Sequence, residues 1–237
     1  MRCSQCSALV KPVAVVDIDG TIGNYHAHFY RFCRRYWGIP SRNGQWDGYG
    51  EFEDWIGINK EQYREAKLAY RQGGLKRWMP VYAGAQAMAS AIVRHDIELW
   101  LVTTRPWLRV DNIHPDTKWW LERNEIAYDF LLYGNEDKYE RLLENVELER
   151  VIGVLEDLPD QFDAAAQLGL PVYMRINKHN RAREAQRQPS ISLDGFEKRM
   201  LQAKHEWEME NARADGSIQP NHGLHRAGSH RGIPQEG

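Results

Sequence analysis

The chain has 237 residues, 42% hydrophobic and 27% charged, enough for a full core without disulfide or metal staples. Its 31 basic and 33 acidic residues leave a formal charge of −2, which argues against bulk nucleic-acid or membrane-surface binding. No apolar run approaches the ~20 residues of a membrane span, Lys11 and Pro12 interrupt the start too early for a signal peptide, and three cysteines make no disulfide framework. The expected setting is reduced and cytoplasmic.

Residues 13–19 (VAVVDID) form a short apolar, β-branched run closed by Gly20, the pattern of a buried strand. The stretch from Tyr25 to Pro80 then reads as an all-helical insertion. It has a helix over 26–37 with Phe29, Phe32, Cys33 and Tyr36 on one face, a Gly-rich aromatic loop, and a second helix over 60–72. Four of the nine Trp, six of the eleven Tyr and three of the six Phe lie in this insertion. Beyond it come a helix over 84–94, a strand over 96–103 and a helix over 116–124 that Asp116-Thr117 is expected to cap. A strand over 128–133, a helix over 137–147 and a strand over 151–155 follow. A helix over 159–168, with Pro159 in its first turn and Gly169 after its last, leads to a strand over 171–176. Such alternation predicts a parallel sheet with helices on both faces. Past Asn180 the apolar pattern fades into a single helix over 194–214, and the Gly, His, Ser, Pro and Gln content from Asp215 predicts a disordered tail. The expected organisation is a core of 1–24 and 81–180, a helical cap of 25–80, a helical extension of 181–214 and a tail of 215–237.

The chemistry gathers at the strand ends. Asp17-Ile18-Asp19-Gly20-Thr21 follows the first strand directly, and open α/β sheets bind ligands at that edge. The second strand ends in Thr103-Thr104-Arg105, the third is followed by Lys138, and the fourth ends in Glu156-Asp157. Taken singly, each is equally a polar turn, a capping threonine, a solvated lysine or an acidic loop. Together they supply acid-x-acid, hydroxyl, lysine and acid-acid in chain order. Adjacent carboxylates suit a hard cation such as Mg²⁺, and a hydroxyl with a lysine suits a phosphoryl group.

On these four motifs the sequence resembles the haloacid dehalogenase (HAD) superfamily of phosphotransferases over about residues 13–24 and 81–180. The resemblance implies an α/β fold: a HAD-like, Rossmann-like three-layer α/β/α core with a parallel sheet, and a small helical cap inserted after the first strand. It implies Asp17 as the nucleophile that forms an aspartyl-phosphate, and Asp19 as acid for the leaving group and then base for water. To donate, Asp19 must be protonated, so its pKa is expected above that of its partner. Thr103 and Lys138 would hold the phosphoryl group with Gly20, Thr21 and Thr104. Mg²⁺ would sit on Asp17, the Asp19 carbonyl and Asp157, with Glu156 a direct or outer ligand.

Within the superfamily the chain looks most like the 5′(3′)-deoxyribonucleotidase group. The cap exit Met79-Pro80-Val81-Tyr82-Ala83-Gly84-Ala85 is similar to that group's, and Asn177-Lys178-His179-Asn180-Arg181 is similar to its late Tyr-Asn-Arg segment. Glu156-Asp157 departs from the group's Asp-Asp. The group's cap aromatics stack on the nucleobase, which implies Tyr25 and Tyr70 as substrate contacts, then Phe29 and Trp55, with Arg105 beside them. The alternative for any cap aromatic is simple packing.

The implied activity is Mg²⁺-dependent hydrolysis of (deoxy)nucleoside monophosphates, without bulk nucleic-acid or membrane partners; the resemblance also suggests a homodimer. Alternatives are a polynucleotide 3′-phosphatase, a small-metabolite phosphatase, or a non-catalytic nucleotide-binding module. No P-loop is present, so kinase activity is not expected. Cys3-x-x-Cys6 is half of a zinc or redox pattern with no partner motif. His222, His225 and His230 read as a solvated tail, Trp107 as a loop anchor, and Trp119-Trp120 as helix residues with one ring on the sheet.

Overall fold

The computed structural model describes residues 10–42, 46, 51–106, 110–134, 137–180 and 189–214. Cys3, Cys6, Trp107, Arg181, the three tail histidines and the tail itself lie outside these. Six parallel strands form one sheet in the order β3-β2-β1-β4-β5-β6. They are β1 (Val13–Val16), β2 (Glu98–Thr103), β3 (Phe130–Tyr133), β4 (Val151–Glu156), β5 (Val172–Arg175) and β6 (Ser190–Ile191). The order places β1 at the centre. The chain runs outward through β2 and β3, then returns to the other side of β1 with β4. That reversal opens a crevice at the carboxyl ends of β1 and β4, where open α/β sheets take their ligands.

Every residue of β1 is buried, and alternation sends successive side chains to opposite faces. Ala14 and Val16 pack with Met88 and Ile92 of α4 (Ala85–Arg94), Trp120 and Leu121 of α5 (Ile113–Arg123), and Phe196 and Met200 of α8 (Leu193–Ala214). Val13 and Val15 pack with Tyr139 and Leu142 of α6 (Lys138–Leu143), and with Phe162 and Ala165 of α7 (Pro159–Gln167). The α/β three-layer architecture expected from the alternation is therefore the one found. Among the described residues no helix is long and apolar enough to cross a membrane.

The insertion contains α1 (Tyr25–Trp37), α2 (Phe52–Ile56) and α3 (Lys60–Gln72), then a 3₁₀ turn over Leu75–Trp78. A reciprocal Asn59/Gln62 capping box starts α3, satisfying two backbone donors at once. The cap has its own core of Phe29, Cys33, Phe52, Ile56, Ile58, Ala66 and Tyr70. Its entry and exit legs lie side by side: the Asn24 amide donates to the Pro80 carbonyl at 2.7 Å, and the Tyr82 amide to the Ile22 carbonyl at 2.9 Å.

Two expectations need correction. Residues 52–56, read within a loop, form the short helix α2. The last helix packs on the core: Phe196 and Met200 are fully buried in it, and the two-residue β6 before it joins the sheet. Asp116 and Thr117 do not cap α5, which begins at Ile113. Both are buried inside the helix, where tertiary partners hold their polar atoms.

Candidate active site

In the sheet register Val16, the last residue of β1, lies opposite Leu101 of β2 and Leu155 of β4, so β2 runs two residues and β4 one residue beyond β1. The Asp17 amide still donates to the Leu155 carbonyl at 3.0 Å, which aims the next residues into the crevice. The chain then turns tightly, with the Gly23 amide donating to the Ile18 carbonyl at 2.8 Å. Gly20 sits at φ +100°, and a Cβ there would collide with the Asp157 carboxylate. Only glycine allows both the backbone angle and that close approach.

Asp17, Glu156 and Asp157 are buried, and one carboxylate oxygen of each lies within 4.8 Å of the others. Lys138, also buried, answers this charge. Its ammonium donates to Asp17 Oδ1 at 2.7 Å and to Glu156 Oε2 at 2.6 Å. Gly134 makes this reach possible, because a Cβ on it would collide with the Lys138 backbone at the start of α6. Burial disfavours the Lys138 charge, but Asp17 and Glu156 outweigh it and hold its pKa above the ordinary lysine value. The Asp17 carboxyl is pushed well up, first by burial; Lys138 pulls it down, and Glu156 and Asp157 push it further up. Three buried carboxyls meet at this one place. Hard oxygen donors in that number fit a divalent cation such as Mg²⁺.

The two acids after β4 differ in their engagements. Glu156 accepts from Lys138 and from the Tyr139 hydroxyl at 2.5 Å through one oxygen. Its other oxygen accepts from the Asp157 and Leu158 amides, both at 3.0 Å. It thus anchors Lys138 instead of presenting a free oxygen. Asp157 accepts from the Thr21 hydroxyl at 3.0 Å, so that hydroxyl directs its proton at Asp157. Thr103 is buried at the tip of β2, while Thr104 is exposed.

Asp19 is held from two sides. Arg105 forms a two-pronged pair with it, Nε to Oδ2 at 3.0 Å and Nη2 to Oδ1 at 2.7 Å, while its Nη1 donates to the Thr117 hydroxyl at 2.8 Å. Lys76 of the cap's exit turn donates to the same Oδ2. Burial favours the neutral acid, but Arg105 and Lys76 prevail and hold Asp19 far below the usual carboxylate range. Without a metal the expected order is therefore reversed: Asp19 is held low and Asp17 is raised. Arg105, expected beside the substrate, is consumed by Asp19.

Lys76 is the main residue that sequence reasoning missed. Its only local signal is a position between Gly73-Gly74 and Met79-Pro80 at the cap exit. Tyr139 was missed as well. The segment after β5 does reach the site: Asn177 donates to the Gly20 carbonyl, and Asn180 donates to the carbonyls of Asp157 at 3.0 Å and Arg175 at 2.7 Å. These bonds tie the turns after β1, β4 and β5 into one floor.

The cap aromatics divide into two sets. Phe29 and Tyr70 are fully buried in the cap core, and the Tyr70 hydroxyl bonds His28 Nδ1 at 2.7 Å. Tyr25 stacks on Phe29 and carries the Lys76 ammonium 4.5 Å from its ring centroid, which places it between the cap core and the floor at the strand ends. Trp55 instead lines a cavity of about 410 Å³ with His26, Tyr30, Trp46 and Phe52. Arg31 from the cap and Lys178 from the core also line it.

No protein-family model matches the chain, and no curated protein matches it. Solved structures do. A haloacid dehalogenase-like family hydrolase from Streptococcus pneumoniae is 14% identical with a TM-score of 0.56, over 77% of this chain and 93% of that one. The fold is haloacid dehalogenase-like. A protein described as a predicted phosphatase from Clostridium acetobutylicum is 17% identical at a TM-score of 0.57, over 81% and 99% of the two chains. CbbY from Rhodobacter sphaeroides, solved in complex with phosphate, is 18% identical at 0.51, over 79% and 95%. Identities this low carry the HAD-like fold alone; the chemistry has to come from the residues.

Proposed function

We propose that the chain is a Mg²⁺-dependent phosphomonoester hydrolase that works through an aspartyl-phosphate on Asp17, with (deoxy)nucleoside monophosphates as substrates. The observation that carries the phosphatase reading is the buried cluster of Asp17, Glu156 and Asp157 on Lys138, beside Asp19 and Thr103 at the strand ends. Similarity in fold to a predicted phosphatase and to a protein solved in complex with phosphate supports it.

In this reading an Asp17 oxygen attacks phosphorus, the bond to the leaving nucleoside oxygen breaks, and Asp19 as its acid gives that oxygen its proton. Lys138 offsets repulsion between the carboxylate and the phosphate dianion, and Thr103 faces a phosphoryl oxygen. Asp17 and Asp157 with the Asp19 carbonyl would hold Mg²⁺, which when bound supplies the charge that favours ionised Asp17 and stabilises the transferring phosphoryl group. Glu156 fixes Lys138. Water then attacks phosphorus and Asp19 takes its proton, a role suited to the ionised state in which Arg105 and Lys76 hold it.

A cation site built into the fold predicts stabilisation as well as activity. Mg²⁺ at a hundred times its dissociation constant should stabilise the full chain by about 2.7 kcal/mol, read as a rise in Tm. EDTA should abolish phosphate release. A Tm indifferent to Mg²⁺, or full activity in chelator, refutes the metal site.

The nucleotide reading rests on the aromatic cavity between cap and core, whose flat rings suit a planar base and whose Arg31 and Lys178 suit an anion. Of the expected base contacts Tyr25, Tyr70, Phe29 and Trp55, Trp55 is the one that lines this cavity. Trp55→Ala should raise KM for nucleoside monophosphates by about tenfold, at the 1–3 kcal/mol scale of base–aromatic stacking, and leave KM for a small aryl phosphate within about twofold. Equal effects on both would remove Trp55 from base recognition. A phosphate-release panel of 5′- and 3′-mononucleotides, a 3′-phosphorylated oligonucleotide and sugar phosphates tests the substrate class.

A further inference from the structure

We propose that Lys76 is a positioning residue for Asp19, held in place by helix α5, and that it serves the step in which water attacks phospho-Asp17. The proposal rests on the phosphatase reading above.

Lys76 is buried, and its ammonium meets the Asp19 carboxylate and the Tyr25 ring. Burying a lysine is costly, and a purely structural cap exit has no need of one. The turn that carries it, and the end of α3 before it, are fastened to the core at several points. Arg77 Nε pairs with Asp116 Oδ1 at 2.5 Å, and Asn112 Nδ2 donates to the Arg71 carbonyl at 2.7 Å. Trp120 Nε1 donates to the Met79 carbonyl at 2.6 Å. Trp78 meets Trp119 edge-on at 5.0 Å, with the Arg123 guanidinium 4.8 and 5.1 Å from the two rings. The core-side partners belong to α5 or its N-cap. Arg105, the other cation on Asp19, takes its orientation from Thr117 of the same helix. One helix thus sets both groups that grip Asp19, and Lys76 belongs to the catalytic floor although it lies in the inserted segment.

A carboxylate fixed by both oxygens has its orientation settled at folding, not at each turnover. The hydrolytic step needs that. The water oxygen bonds to phosphorus, the bond between phosphorus and the Asp17 oxygen breaks, and Asp17 leaves as a carboxylate. One water proton stays on the phosphate and the other passes to Asp19. The preceding transfer from an activated aryl phosphate needs no such help, because 4-nitrophenolate leaves without a proton.

The test is rapid-quench turnover of 4-nitrophenyl phosphate by the full chain with Mg²⁺, comparing wild type with Lys76→Met, Arg77→Met and Asp17→Asn. Lys76→Met should lower steady-state turnover about 10- to 100-fold and release a burst approaching one nitrophenolate per chain. Arg77→Met loosens the turn without touching Asp19 and should give a burst with a smaller loss; it decides alone if Lys76→Met does not fold. Wild-type turnover in both variants overturns the proposal, as does a loss of rate without a burst, which would place Lys76 in the first step or in folding only. Turnover by Asp17→Asn, or none by wild type, shows instead that the phosphatase reading has failed and takes the proposal with it.

Discussion

Asp17→Asn is expected to lower phosphate release by a factor on the order of 10⁴ or more, while the protein stays folded. The amide keeps the shape of the side chain but is no nucleophile toward phosphorus. The stability side has a defined sign. Asp17 is buried beside Glu156 and Asp157, and its pKa is raised by that burial and by their charges. Removing its charge relieves repulsion, so without Mg²⁺ the variant should melt at or above the wild-type temperature. With Mg²⁺ the order should reverse, because a ligand oxygen has been lost. Phosphate release and melting curves with and without the ion measure both effects. Turnover close to wild type would end the assignment of Asp17 as nucleophile.

Glu156→Ala is expected to destabilise the protein by about 3–5 kcal/mol, the scale seen when one partner of a buried ion pair is removed. Lys138 would keep Asp17 alone as acceptor, and the Tyr139 hydroxyl and the amides of Asp157 and Leu158 would lose theirs. Set against a typical domain stability of about 5–15 kcal/mol, that is a large fraction. Glu156→Gln restores the volume but turns an NH₂ toward donors, and should still cost about 1–3 kcal/mol. Both variants should lose activity because Lys138 is no longer aimed at Asp17. Urea titrations separate the cases, and near-native stability in Glu156→Ala would mean that the network does not anchor the lysine.

The strand ends were legible because their residues follow directly on apolar runs. Asp17, Thr103 and Glu156-Asp157 need only the knowledge that a buried strand stops there, and Lys138 only that a helix begins after the next one. What distinguishes Glu156 from Asp157 was not legible, since it depends on Tyr139 and on two amides that the fold brings together. Lys76 was hidden for the same reason: its partner lies 57 residues away, across the cap. Asp116-Thr117 looked like a cap because those residue types usually serve the nearest backbone, whereas here Arg77 and Arg105 take them. The aromatic insertion was visible as a cluster, but packing and stacking draw on the same rings. Only the geometry separates Phe29 and Tyr70, enclosed in the cap, from Trp55 on the cavity wall. The two residues of β6 are too few to carry a period.

The most direct measurement is acid-quench trapping during turnover. The full chain is mixed with Mg²⁺ and a radiolabelled nucleoside monophosphate, stopped in acid within the first turnovers, and mapped by peptide. The predicted result is label on the peptide that contains Asp17, stable in acid and removed by hydroxylamine as an acyl phosphate is. Phosphate release with no label on the protein, or with label on another peptide, would contradict the account.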